Sequence, residues 1–173
     1  MCQRRSAWLH DSPFALYCNS RYIDMRMVNL MAWVTLSYHL PSEPSAHRVA
    51  IWRKLKRLGA VLLHDTIWVL PATPRTREHL QWLASEVRDR GGTALVWESV
   101  SIMADQDTHL TALFLGQVEP GYHEVLTALA QPEADLAALA RRYQQLVAHD
   151  YCHSPLGEQV RAALLAAQGE GTP

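Results

Sequence analysis

Apolar positions in the middle of the chain alternate between short β-type runs and helical spacing. Trp33 to Leu40 is rich in aromatic and β-branched residues and stops at Pro41, which predicts a strand. After a Pro41-Ser42-Glu43-Pro44 loop, Ser45 is placed as an N-cap. Val49, Trp52, Leu55 and Leu58 then repeat at helical spacing until Gly59 supplies a stop. Ala60 to Leu63 and Thr66 to Leu70 flank His64-Asp65 and predict a hairpin closed by Pro71. Thr73 and Pro74 have the form of an N-cap followed by proline at the first helical position. Leu80, Leu83 and Val87 carry that second helix to Gly91-Gly92. Thr93 to Val100 returns to a strand pattern.

The order strand, helix, strand, strand, helix, strand is that of the split βαβ motif. The expected fold class is therefore α+β, a ferredoxin-like βαββαβ core with a four-stranded antiparallel sheet and a C-terminal helical extension. Beyond Asp105 the chain is Ala/Leu-rich and predicts helices over about 107–116, 120–130, 133–149 and 156–168, with Pro120, Pro132 and Pro155 marking starts. One domain is expected over 32–168, with the core in 32–102, helices in 105–168 and a frayed tail at 169–173. Residues 1–31 lack a sustained period and end at Met25, Met27 and Met31, so they read as a poorly ordered extension, with Met31 or a methionine just before it as the expected natural start.

A length of 173 residues suits one domain, and 49% hydrophobic with 19% charged residues is a globular balance. No apolar run reaches the roughly 20 residues that span a bilayer. Charges at Arg4, Arg5, Asp11 and Arg21 break up any secretory hydrophobic region. Cys2, Cys18 and Cys152 have no framework spacing, which suits a reducing compartment, so a cytoplasmic location without a membrane partner is expected. The net charge of −1 conceals a polarity: residues 41–92 hold nine Lys/Arg against five Asp/Glu, and residues 93–173 hold three against ten. Such asymmetry marks either a face for an anionic partner or pairing between the two halves.

The run Trp33…Leu40-Pro41…Arg48-Val49…Trp52-Arg53…Leu55…Leu58-Gly59-Ala60-Val61, followed by Ile67-Trp68-Val69-Leu70-Pro71, resembles the N-terminal domain of the ChrB family of chromate-resistance regulators. Similarity continues through Gln81-Trp82-Leu83, Glu86, Gly91-Gly92 and Ala94-Leu95-Val96 and resumes near Tyr143 and Asp150-Tyr151, spanning nearly all of 32–155. Trp68 stands where tyrosine is expected, and Tyr151-Cys152 where an aromatic pair is expected. The resemblance implies a bacterial transcriptional regulator whose N-terminal domain contacts DNA and whose C-terminal domain responds to chromate. That second domain is not found in this sequence, so a separate ChrB C-terminal-type partner is one expectation, and a homodimer through exposed sheet or helix surfaces another.

Candidate chemistry centres on the first helix, where Arg48, Arg53, Lys54, Lys56 and Arg57 surround the apolar stripe. At about 100° per residue Arg53, Lys54 and Arg57 share one solvent-facing arc that can neutralise phosphates or cradle an oxyanion, with Arg75 and Arg77 as further phosphate contacts. A merely solvated helix face is the competing reading. No helix-turn-helix is evident, so these cations would position on phosphates rather than read bases. The alternative function is an oxyanion sensor for chromate or sulfate, or a protein-interaction module, that does not bind DNA. His149, Cys152 and His153 form the densest set of metal-ligand types, but without a companion motif, and a helix-end packing role is favoured. Trp33, Trp52, Trp68, Trp82 and Trp97 are read as core or dimer packing rather than base-stacking platforms. Asp65, Asp105 and Asp107 are scattered, and no nucleophile-elbow, zincin, Walker A or dinucleotide motif occurs, so neither an enzyme nor a cofactor is expected.

Overall fold

The computed structural model describes residues 32–170. The chain runs β1 (Ala32–His39), α1 (Ser45–Arg57), β2 (Val61–His64), β3 (Ile67–Pro71), α2 (Pro74–Asp89), β4 (Thr93–Val100), α3 (Ala104–Leu129), α4 (Leu136–Val147) and α5 (Pro155–Glu170). The strands form one antiparallel sheet in the order β2-β3-β1-β4. This interleaving is that of the ferredoxin-like core, so the α+β class holds. The expectations for residues 1–31 and for the last three residues of the tail lie outside the described residues.

β1 is central and buried on both sides, which explains its nearly continuous apolar run. Val34 and Leu36 share a sheet face with Leu70 and Trp68, while Trp33 and Thr35 share the opposite face with Pro71 and Val69. The first face is covered by α1 and α2, whose inner residues Ile51, Leu55, Leu80, Leu83 and Val87 are buried. Both helices end in the same way. Gly59 and Gly91 take positive φ, and the amides of Ala60 and Gly92 reach back to the carbonyls of Leu55 and Val87. Only glycine adopts that turn without strain. Thr73 caps α2 reciprocally with Thr76, as its sequence suggests.

Four local expectations are corrected. Ser45 is the first helical residue rather than the N-cap; Pro44 occupies the cap and offers no side-chain acceptor. The buried stripe of α1 is Ile51 and Leu55, whereas Val49 and Trp52 are 44% and 47% exposed. Both sets have helical spacing, and the sheet selects the one that fits between its strands. Finally, α3 is a single 26-residue helix that runs through Pro120 instead of restarting there. Proline forfeits one backbone hydrogen bond and crowds the carbonyl of residue i−4. Burial of Phe114, Val118, Tyr122 and Val125 along one face of α3 outweighs that cost. α4 starts later than expected because Asp135, accepting from the Ala138 amide at 2.9 Å, is the cap rather than Pro132 the start.

The helices α3, α4 and α5 enclose a second core of Val118, Tyr122, Val125, Leu146, Val160 and Leu164. Several contacts join it to the sheet. Trp33 Nε1 donates to Asp107 Oδ1 at 2.7 Å, and the Trp33 ring stacks on Phe114 with centroids 5.6 Å apart. Phe114 in turn meets Tyr151 edge to face. The Tyr151 hydroxyl donates to the Leu58 carbonyl at 2.7 Å, and His149 Nε2 lies 2.8 Å from the Arg57 carbonyl. The turn between α4 and α5 therefore satisfies carbonyls that the end of α1 leaves open. No helix among the described residues is long and apolar enough to cross a membrane.

Candidate functional site

α1 offers its cations to solvent because Ile51 and Leu55 fix the opposite side of the helix against the sheet. Arg48, Arg53, Lys54, Lys56 and Arg57 are all exposed, as is Arg75 at the start of α2. Their electrostatic surroundings differ. Lys54 Nζ lies 2.6 Å from Glu86, which also accepts from Arg90 at 2.6 Å. Burial pushes the Glu86 carboxyl up, but the hydrogen bonds from Lys54 and Arg90 outweigh it and hold the group below the usual carboxylate range. Arg77 forms a two-pronged pair with Glu98 at 2.7 and 2.9 Å, and that bonding lowers the Glu98 carboxyl. Lys56 is held 5.7 Å over the Trp68 ring.

Among the described residues, Arg48, Arg53 and Arg57 have no acidic partner. Arg75 makes one long contact, 3.4 Å, to His79 on its own helix. It also lies near enough to lower the Tyr151 phenol, against the larger upward push of burial. His79, which Arg75 contacts, lines a groove together with Arg57, so the two arginines gather at the same end of the helix pair. Between α1 and α2 a groove of about 280 Å³ is lined by Lys54, Arg57, His79, Trp82 and Glu86. Trp82, 69% exposed, stands in it as a flat apolar wall.

The tryptophans divide. Trp33 and Trp68 are core residues, which agrees with the packing reading, whereas Trp52, Trp82 and Trp97 stand at the surface. Trp97 and Leu95 project from β4, which is an edge of the sheet. Each of the two ring nitrogens of His149 lies against a carbonyl oxygen, of Gln145 and of Arg57, which turns the ring away from metal ligation. Among the described residues no three His, Cys, Asp or Glu side chains are arranged to hold a metal ion. Burial, and secondarily the Asp150 carboxylate, push the Cys152 thiol up. Asp107 ties Ser101 and Trp33 to α3. Asp105 lines a groove of about 680 Å³ between the sheet and α3, together with Thr35, His64, Ser99 and His109. Asp65 sits at positive φ in the hairpin turn.

Sequence reasoning gave no structural role to Arg142 or Asp150. Asp150 accepts the Tyr122 hydroxyl at 3.0 Å and the Ser154 amide, and so fastens the turn before α5 onto α3. Arg142 approaches Glu124 at 3.4 Å and faces the end of α1 across a groove. The adjacent Arg141 and Arg142, in an otherwise acidic helical stretch, carry no local signal of that position.

A family model described as the N-terminal region of protein ChrB matches residues 48–149, which includes all of the cations named on α1 and α2 and the whole of α4. The chain is similar to protein ChrB of Cupriavidus metallidurans, 32% identical over 120 residues, which is 65% of this chain and 36% of that protein. The chain thus spans little more than a third of the relative's length. No solved structure matches it. With the family model covering more than half of the chain, this protein belongs to the family of ChrB N-terminal domains.

Proposed function

We propose that the chain is a DNA-associated regulatory module connected with chromate resistance, and that it holds nucleic acid through phosphate contacts from α1. Family membership supports the connection with chromate resistance. The observation that carries the DNA reading is the set Arg48, Arg53 and Arg57, exposed and, among the described residues, without acidic partners, joined at one end by Arg75. Arginines in this state neutralise phosphates without first breaking an ion pair, whereas Lys54 and Arg77 would have to exchange Glu86 and Glu98 for the ligand. The helix pair lies flat on the sheet, so it suits positioning on a duplex backbone better than insertion into the major groove.

The test is fluorescence anisotropy with duplex DNA from upstream of the protein's own operon, at about 50 and 200 mM salt, with and without chromate. Arg53→Glu/Arg57→Glu leaves the Lys54–Glu86 pair intact. It is expected to weaken binding and to reduce the log–log salt slope by about 2, roughly 1 per lost phosphate contact. An unchanged affinity and slope in the double variant would remove α1 from the interface. Wild-type protein that binds no duplex at either salt would sink the DNA reading and leave an anion-responsive or protein-interaction module.

A further inference from the structure

We propose that the groove between the C-terminal end of α1 and the helix α4 is a binding site for a phosphate-type oxyanion. It measures about 400 Å³ and is lined by Lys56, Arg57 and Gly59 from the core and by Gln117, Val118, Arg142, Gln145, Leu146 and His149 from the helical extension. Three cationic residues, Lys56, Arg57 and Arg142, and two glutamines therefore line one space, and no described residue lining it is a carboxylate. Guanidinium and ammonium donors converging with amide N–H groups are the donor set that a tetrahedral anion with several acceptor oxygens takes.

The walls are held in place independently of any ligand. His149 and Tyr151 fasten α4 and its following turn to the carbonyls of Arg57 and Leu58. Those contacts also cover the negative end of α1, which would otherwise repel an anion. Gly59 is part of the fit, since a Cβ there would meet the His149 ring at 3.1 Å. Gly121 plays the same part on α3. A Cβ there would overlap Leu146, so the missing side chain lets Leu146 of α4 pack against the α3 backbone, and the Arg142 guanidinium lies in ordinary contact beside it. Lys56 is steadied by the Trp68 ring. The Arg142 contact to Glu124 is long, 3.4 Å, and exposed on both sides, so a bound dianion displaces it at little cost.

The site goes beyond the proposed function, because it draws on the helical extension and does not need DNA as the partner. Its ligand is either a backbone phosphate of nucleic acid or a free phosphate-bearing anion. The full chain, ¹⁵N-labelled, is titrated with inorganic phosphate against sodium chloride of equal ionic strength, following the side-chain amides of Gln117 and Gln145 and the arginine Nε–H signals. Saturable shifts at Gln117 and Gln145 are expected with phosphate alone. Arg142→Glu is expected to raise the half-saturating concentration at least about tenfold, Arg142→Gln less, and Arg161→Gln, exposed on α5 and outside the groove, under about twofold. Thermal unfolding without phosphate checks that each variant is folded.

Shifts that are linear, that chloride reproduces, or that persist unchanged in both Arg142 variants would overturn the proposal. Loss of DNA affinity in Arg142→Glu together with competition by phosphate assigns the groove to a nucleic-acid phosphate. Loss of phosphate binding with DNA affinity intact assigns it to a free anion. Saturable, Arg142-dependent phosphate binding in a protein that ignores DNA keeps the groove and refutes the DNA-associated reading. DNA binding that depends on Arg53 without a phosphate site does the reverse.

Discussion

Tyr151→Phe isolates the contact by which the helical extension closes the end of α1. The substitution removes one hydroxyl and leaves the ring, which meets Phe114 edge to face with centroids 6.1 Å apart. The Leu58 carbonyl, part-buried, then has lost its donor at 2.7 Å. An intramolecular hydrogen bond contributes about 0.5–1.5 kcal/mol net, and a buried acceptor left bare costs about 1–3 kcal/mol. Because Leu58 is only half-buried, water reaches part of that carbonyl, and a loss of about 1–2 kcal/mol is expected. With a urea m-value of about 2 kcal/mol per M, the midpoint falls by roughly 0.5–1 M at unchanged m. Trp33, stacked on Phe114, makes tryptophan fluorescence a probe of this junction. Tyr151→Ala also loses the ring contacts and is expected to cost about 3–5 kcal/mol. A Tyr151→Phe midpoint that matches the wild type would show that Leu58 does not depend on the phenol. A wild-type curve with two separated transitions would show that the extension and the core are not coupled through it.

Two further outcomes are expected of the same structure. Tyr38, Tyr122, Tyr143 and Tyr151 all have phenols pushed above their ordinary value, in each case first by burial, and for Tyr122 also by its bond to Asp150. A phenol whose folded pKa is raised keeps its proton while the unfolded chain ionises. Stability should therefore hold below about pH 10 and fall above it, by up to about 1.4 kcal/mol per pH unit for each group. Urea midpoints between pH 8 and 11.5 should show a shallower alkaline decline in Tyr122→Phe, and an identical slope would refute the assignment. Asp107→Ala leaves the buried Trp33 indole N–H without its acceptor, at a cost of about 1–3 kcal/mol, and Asp107→Asn recovers part of that loss by keeping an oxygen. Equal thermal midpoints for the two variants would contradict the role given to the Trp33 bond.

The features legible in the sequence are those with local causes. Strands β1 and β4, the Thr73-Pro74 start and the glycine stops at 59 and 91 depend on residues a few positions apart, and they stand where the pattern puts them. Where two local patterns compete, only packing decides between them. Val49-Trp52 and Ile51-Leu55 are both apolar at helical spacing, and the sheet takes the second. Pro120 reads as a helix start by itself, yet the buried face from Phe114 to Val125 carries α3 through it. The cationic candidates were legible as residue types, since charge on an exposed helix arc needs no tertiary information. Their pairing was not, because Glu86 and Glu98 come from other elements. Arg142 was invisible for the same reason: its relation to Arg57 is created by a clasp between residues 92 and 93 positions apart.

That separation bears on how the chain acquires its structure during synthesis. The sheet is complete once β4 has paired with β1, but the last turn of α1 waits for Tyr151, and Trp33 waits for Asp107. Contacts of such long range slow folding, because the intervening chain must be brought to order before they form. A ribosome adding about 5–20 residues per second leaves the end of α1 open for several seconds after it has emerged. The cationic surface is thus completed among the last parts of the molecule, and a nascent chain can assemble its sheet well before it can present α1 in final form.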